Sequence, residues 1–114
     1  MVTLQETAST LSALRNKRFL KAKAVLKKVS DILTREYHVS RIILIGSLAD
    51  ENRFGFHSDI DLCVEGLSDK LYFSAVGKLL SEAAEFDIDI IQIESATPRM
   101  RDLIKEGKVI YEKR

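Results

Sequence analysis

The chain has no tryptophan, one cysteine and one proline among its 114 residues. A lone cysteine, Cys63, excludes an internal disulfide and fits a reducing cytoplasm. With no second thiol or suitably placed histidine, Cys63 offers no zinc site and reads as a small buried residue on the floor of a cleft. No apolar run approaches the roughly 20 residues needed to span a bilayer. The start, Met1-Val2-Thr3-Leu4-Gln5-Glu6, lacks the basic and apolar blocks of a secretion signal. An excess of one charge is lacking too, because 18 Lys and Arg against 17 Asp and Glu leave a net +1. That balance favours neither nucleic acid nor an acidic membrane as a partner. What is present is 46% hydrophobic and 31% charged, in a length that allows one domain. A soluble, globular, cytoplasmic protein with a single core is expected.

Periodicity divides the chain into alternating helices and strands. Residues 1–16 are small, polar and weakly periodic, and read as a short N-terminal helix or arm, with the main domain spanning 17–114. From Lys17 to Tyr37, Ala22, Val25, Leu26, Val29, Ile32 and Leu33 recur at helical spacing and form one stripe to bury. Lys21, Lys23, Lys27 and Lys28 lie opposite, either as a solvated face or as a surface for a triphosphate or an acidic partner. His38 ends this helix. Ser40 to Ile45 is an almost unbroken β-branched run, which fits a strand covered on both faces. Leu48 to His57 predicts a short helical turn and a loop. Ser68 to Glu85 predicts a helix with Ser68 as N-cap and Tyr72, Ala75, Val76, Leu79, Leu80 and Ala83 as its stripe. Gly77, costly inside a helix, marks close packing on the sheet in this reading. Phe86 to Ile93 is a strand, with Asp87, Asp89, Ile91 and Ile93 on one face and Phe86, Ile88 and Ile90 on the other. Thr97 as N-cap, Pro98 and Gly107 frame a short helix before a closing strand at Val109 to Tyr111.

The chemistry concentrates in two short stretches. Ile42-Ile43-Leu44-Ile45 ends in Gly46-Ser47, and Ser58-Asp59-Ile60-Asp61-Leu62-Cys63-Val64 follows, with eleven residues between Ser47 and Asp59. Alternation puts Asp59 and Asp61 on one face, with Cα atoms roughly 6.5 Å apart, while Ile60, Leu62 and Val64 enter a core. Two such carboxylates repel unless a cation lies between them. Oxygen-only ligands suit Mg²⁺, which keeps several waters and completes its shell with substrate phosphates. Glycine lets a phosphate approach the backbone, and the serine adds a hydroxyl and an N–H. A hairpin joining the two strands brings Ser47 and Asp59 to one sheet edge. His57, beside the aspartates, reads either as exposed or as close to a phosphate.

Gly-Ser, a spacer of this length and Ser-Asp-Ile-Asp-Leu resemble the nucleotidyltransferase superfamily that includes DNA polymerase β. Within it the chain looks like the minimal nucleotidyltransferases, the small prokaryotic members. The likeness runs from about Lys23 to Glu112 and includes the ending Pro98-Arg99-Met100-Arg101-Asp102-Leu103-Ile104-Lys105-Glu106-Gly107-Lys108-Val109-Ile110-Tyr111-Glu112. It implies an α/β (α+β) single domain, a small mixed sheet flanked by helices. It also implies that Gly46 and Ser47 hold the triphosphate of ATP, and that Asp59 and Asp61 hold Mg²⁺. A third carboxylate from a later strand completes the metal site or acts as base. Asp89 occupies that place in the pattern, with Asp87 as the alternative. The chain departs from many relatives in carrying Asp50 and Glu51 after Ala49, which leaves Arg53 as the cation of this turn.

The chain has no room for an acceptor-binding domain, so the acceptor surface is expected from a second copy or another protein. Small members of the family pair with a helical HEPN-type protein and serve as antitoxins, adding AMP to a tyrosine of that RNA-cleaving toxin. AMP transfer from ATP to such a partner is therefore the leading expectation. The alternatives are the catalytic half of a split enzyme acting on a small, aminoglycoside-like alcohol, and a neutralising subunit whose nucleotide site is vestigial.

Overall fold

The structure, a computed structural model, describes residues 4–114, with side chains described from Ser9 onward. Residues 1–3 of the expected arm lie outside the described residues. The elements run α1 (Leu4–Arg35), β1 (Arg41–Ile45), β2 (Ile60–Glu65), α2 (Asp69–Glu82), β3 (Ile88–Gln92), α3 (Pro98–Glu106) and β4 (Lys108–Glu112). Two 3₁₀ turns, Ser47–Ala49 and Glu51–Arg53, bridge β1 and β2, and a third, Ile93–Ser95, follows β3.

The strands form one mixed sheet in the order β3-β2-β1-β4. β1 is antiparallel to β2 and to β4, and β2 is parallel to β3. A parallel pair needs a crossover, and α2 supplies it. Alternation assigns the two faces. Ile42, Leu44, Ile60, Leu62, Val64, Ile88 and Ile90 face the helices and share a core with Ala22, Leu26, Val29 and Leu33 of α1 and Ala75 and Leu79 of α2. Ile43, Asp61, Cys63 and Asp89 point the other way. There α3 returns the chain so tightly over β1 that a Cβ on Gly107 would stand 2.6 Å from Ile43 Cγ2 and 3.0 Å from the Leu44 carbonyl oxygen. Thr97 caps α3 by accepting the Met100 N–H at 3.3 Å, and Pro98 is its first residue.

Four details differ from the sequence reading. The arm at 1–16 and the helix from Lys17 are one continuous helix from Leu4. No proline or glycine interrupts this stretch, and side chains 9–17 are all exposed, so no apolar stripe was needed to carry it. α2 stops at Glu82 rather than Glu85, because Ala84 turns to φ 55° and ends the helix in the left-handed region. Ser68 holds the N-cap position without a side-chain cap bond. Gly77 marks no close packing: a Cβ there would meet nothing within 4 Å.

Candidate active site

The β1–β2 hairpin builds the site. Ile45 pairs with Asp61, so the Gly46-Ser47 turn leaves the sheet directly beside the start of β2. Gly46 has φ 77° and ψ −164°, a conformation that only glycine adopts without strain. The side-chain space it leaves free is occupied by a carboxylate: a Cβ on Gly46 would stand 2.6 Å from Asp61 Oδ2. Ser47 then opens a 3₁₀ turn closed by the Ala49 N–H to the Gly46 carbonyl at 3.2 Å and the Asp50 N–H to the Ser47 carbonyl at 3.1 Å. Asp50 turns its carboxylate back on its own loop and accepts the Asn52 N–H at 3.0 Å.

The parallel pairing of β2 with β3 sets Asp61 beside Asp89 in register. Asp59, one residue before β2, accepts the Asp87 N–H at 3.3 Å, and the Ile60 N–H donates to the Asp87 carbonyl at 3.0 Å. Burial, then Asp89, then Asp59 push the Asp61 carboxyl above the ordinary carboxylate range. Asp61 is thus the focus of the acid cluster, pressed between a glycine backbone and two further carboxylates. Cys63, two residues inward on the same face, is fully buried, and burial with the Asp61 charge pushes its thiol up to about 11. A thiol so buried serves as packing, and it does not itself line the cavity described next.

Ser47, His57, Asp59, Asp61, Asp87 and Asp89 line one cavity of about 640 Å³, which Leu80 borders from α2. Leu80, assigned by its spacing to the buried stripe, is 48% exposed here. Asp61 also borders a second cavity of about 380 Å³ with Gly46, Asp50 and Arg53. Ser47, Asp59, Asp61 and Asp89 are therefore brought together around one cavity with Asp87 and His57, and Gly46 adjoins it through Asp61. Of the basic face of α1, Lys28 meets Glu82 at 2.8 Å and Lys21 meets Glu85 at 3.6 Å, and neither these nor Lys23 and Lys27 line the two cavities. Sequence reasoning missed Arg18, which donates to the Ser58 carbonyl at 2.9 Å. Its position in a helix full of exposed cations gave no signal of this.

The donor set is oxygen only and carries more negative charge than its surroundings neutralise. Among the described residues no three acidic, histidine or thiol groups converge to hold a metal ion by themselves, so the expected set of Asp59, Asp61 and Asp89 is not preassembled as a three-carboxylate site. This fits a hard cation held by one or two carboxylates that leaves its other positions to water and phosphate, and it does not fit a structural zinc.

A glycine turn after a strand, set against carboxylates from two neighbouring strands of a small mixed sheet, defines a nucleotidyl-transfer domain. The chain belongs to the family described as Polymerase beta, Nucleotidyltransferase, which matches residues 27–114. It is a nucleotidyltransferase, and enzymes of this family use a divalent metal. No curated protein matches it. Among solved structures it is similar in fold to a chain of the toxin–antitoxin mutant MntA-HpeT, with TM-score 0.61 and 23% identity over 77% of this chain and 73% of the other. A toxin–antitoxin structure with AMP-PNP gives TM-score 0.62 and 24% identity over 76% and 73%. A tri-AMPylated HEPN toxin of Shewanella oneidensis in complex with MNT antitoxin gives TM-score 0.54 and 22% identity over 82% and 71%.

Proposed function

We propose that the chain is a Mg²⁺-dependent nucleotidyltransferase that moves AMP from ATP to a tyrosine hydroxyl of a HEPN-type toxin, acting as the antitoxin of the pair. The observation that carries this reading is the Asp61 carboxylate lodged against Gly46 and beside Asp89. In this reading the phosphate-binding backbone lies directly against a metal-binding acid, since Asp61 borders both the cavity with Ser47 and Asp89 and the one with Gly46. The solved structures of similar fold, which include an AMP-PNP complex and an AMPylated HEPN toxin, support the choice of nucleotide and acceptor.

Each group has a role in this reading. Asp59 and Asp61 hold Mg²⁺. The Ser47 hydroxyl and the Gly46-Ser47 backbone bind the β and γ phosphates, and Arg53, which borders the neighbouring cavity with Gly46, is the cation offered to them. Mg²⁺ held by these carboxylates would supply charge neutralisation for the phosphates and for the departing pyrophosphate. Asp89, in register with Asp61, is the third carboxylate. It orients the acceptor hydroxyl and takes its proton as the new oxygen–phosphorus bond forms and the bond to pyrophosphate breaks. Asp87 spends its backbone on Asp59 and Ile60, and serves the cluster as a strut.

The test is transfer of label from α-labelled ATP to a HEPN-type helical protein, in Mg²⁺, with the parent and with Asp59→Asn. Label on a tyrosine of that protein, lost in the variant, is expected. Label appearing only on a small alcohol would replace the proposed acceptor by the split-enzyme reading. Toxin neutralisation that persists in Asp59→Asn without any label would leave a binding subunit and contradict the catalytic reading.

A further inference from the structure

We propose that Arg18, which lies outside the family-matched segment, is a positioning residue that fixes the two chain segments presenting Asp59 and Asp87; the inference rests on the nucleotide-binding reading of that cluster. The guanidinium stacks 4.4 Å from the Phe86 ring centroid and 6.0 Å from that of Phe54. Its Nη2 donates to the Ser58 carbonyl at 2.9 Å, forty residues away in sequence. Its Nε is buried without a hydrogen-bond partner. The pairing of Nη1 with Glu85, at 3.9 Å and half-exposed, contributes little.

A cation is costly at such a place, since its side chain is only 19% exposed and one of its donors is unmet. A leucine or methionine would fill the space between Phe54 and Phe86 without that penalty. Arginine adds a rigid planar fork that stacks on a ring and bonds a carbonyl at once, which neither lysine nor an apolar residue does. The two groups it grips are one residue from the acid cluster on either side: Ser58 precedes Asp59, and Phe86 precedes Asp87. Those aspartates are in turn joined by the Asp87 N–H to the Asp59 carboxylate at 3.3 Å and the Ile60 N–H to the Asp87 carbonyl at 3.0 Å. Ser58 has its remaining polar groups engaged as well, its N–H with the Gly55 carbonyl at 3.2 Å and its hydroxyl with the Gly55 N–H at 2.9 Å. Arg18 therefore closes a loop from α1 through both acid-bearing segments. Without it the Ser58 segment keeps only its turn bonds to Gly55, the entry to β2 is tied to β3 but no longer to α1, and the place of Asp59 relative to Asp61 is less firmly fixed.

The experiment compares Arg18→Met and Arg18→Lys with Val29→Ala, a core truncation in the same helix that touches none of these groups. The readouts are the Kd for AMP-PNP with Mg²⁺ by calorimetry, hydrogen exchange at the Ile60 amide, and Tm. Arg18→Met is expected to weaken nucleotide binding about tenfold or more, since small misplacement of a binding group is costly. It should also speed Ile60 exchange beyond what its loss of stability explains. Arg18→Lys should recover part of the affinity, and Val29→Ala should lower Tm at least as far while leaving Kd within about twofold. Unchanged affinity in Arg18→Met, or losses in both helix variants that simply track Tm, would overturn the proposal. A parent protein that binds no nucleotide would instead refute the reading of the site. The Ile60 exchange rate would then decide about Arg18 by itself, faster exchange supporting the clamp and unchanged exchange sinking it.

Discussion

Asp61 stands where its own charge is unwelcome. It is half-buried, faces Asp89 across the β2–β3 register and has Asp59 two residues away, and all three influences favour its protonated form. Because the folded pKa lies above the ordinary 3.8, the folded state holds this proton more tightly than the unfolded chain does. The group's stabilising contribution is therefore complete below the unfolded value and is lost as pH rises through the raised folded value. Asp61→Asn should accordingly melt a few degrees above the parent at neutral pH in the absence of metal. The gap should close as the pH is taken below the ordinary carboxylate range. Thermal melts across that range check this, and a variant no more stable than the parent at neutral pH would contradict the account of the cluster. Much of this cluster was readable from the letters, because alternation alone puts Asp59 and Asp61 on one face and needs no tertiary information. Where Asp87 and Asp89 fall relative to Asp59 and Asp61 was harder, because it depends on the strand register, which a single sequence does not contain. Arg18 was not readable at all, since its partners Ser58 and Phe86 are far along the chain.

Elements with a strong internal period were legible, and elements defined by what lies beside them were not. β1, β2 and β3 alternate or run apolar as buried strands must, and Thr97-Pro98 with Gly107 frames α3 as expected. α1 was split at residue 16 because its first half has no stripe, its side chains 9–17 being exposed, although nothing in it breaks a helix. In α2 the conflict lies at Gly77, a helix-interior glycine with open space at its Cβ position. Ala fits that space and restricts the unfolded chain, so Gly77→Ala should stabilise the protein by about 0.5–1 kcal/mol, measured by urea unfolding. Destabilisation would mean that something packs on this helix face. Leu80, on the same helix, fits the apolar period yet borders the acid cavity, which periodicity does not distinguish from burial.

At the scale of the whole molecule, the sheet is covered on one face by α1 and α2, while the face carrying the acids keeps Asp89 exposed beside the cavity. The molecule extends 56 × 29 × 24 Å, and α1 alone is about 48 Å long at 1.5 Å per residue. Its side chains from 9 to 17 are exposed, and the buried stripe begins with Ala22. Removing residues 1–16 while keeping Arg18 should therefore leave Tm within a few degrees of the parent and nucleotide affinity unchanged. A large loss of either would place part of the working domain in that first half of α1. On the acid face, Leu80 and Ile88 border the cavity beside its carboxylates.

The most direct measurement is calorimetric titration of the protein with AMP-PNP in the presence and absence of Mg²⁺, repeated with Gly46→Ala. In that variant a methyl group meets the Asp61 carboxylate and the backbone is forced out of its glycine conformation. The account predicts binding that requires Mg²⁺ and disappears in Gly46→Ala while the variant remains folded. Binding that is indifferent to the metal, or that survives the added methyl unchanged, would contradict it.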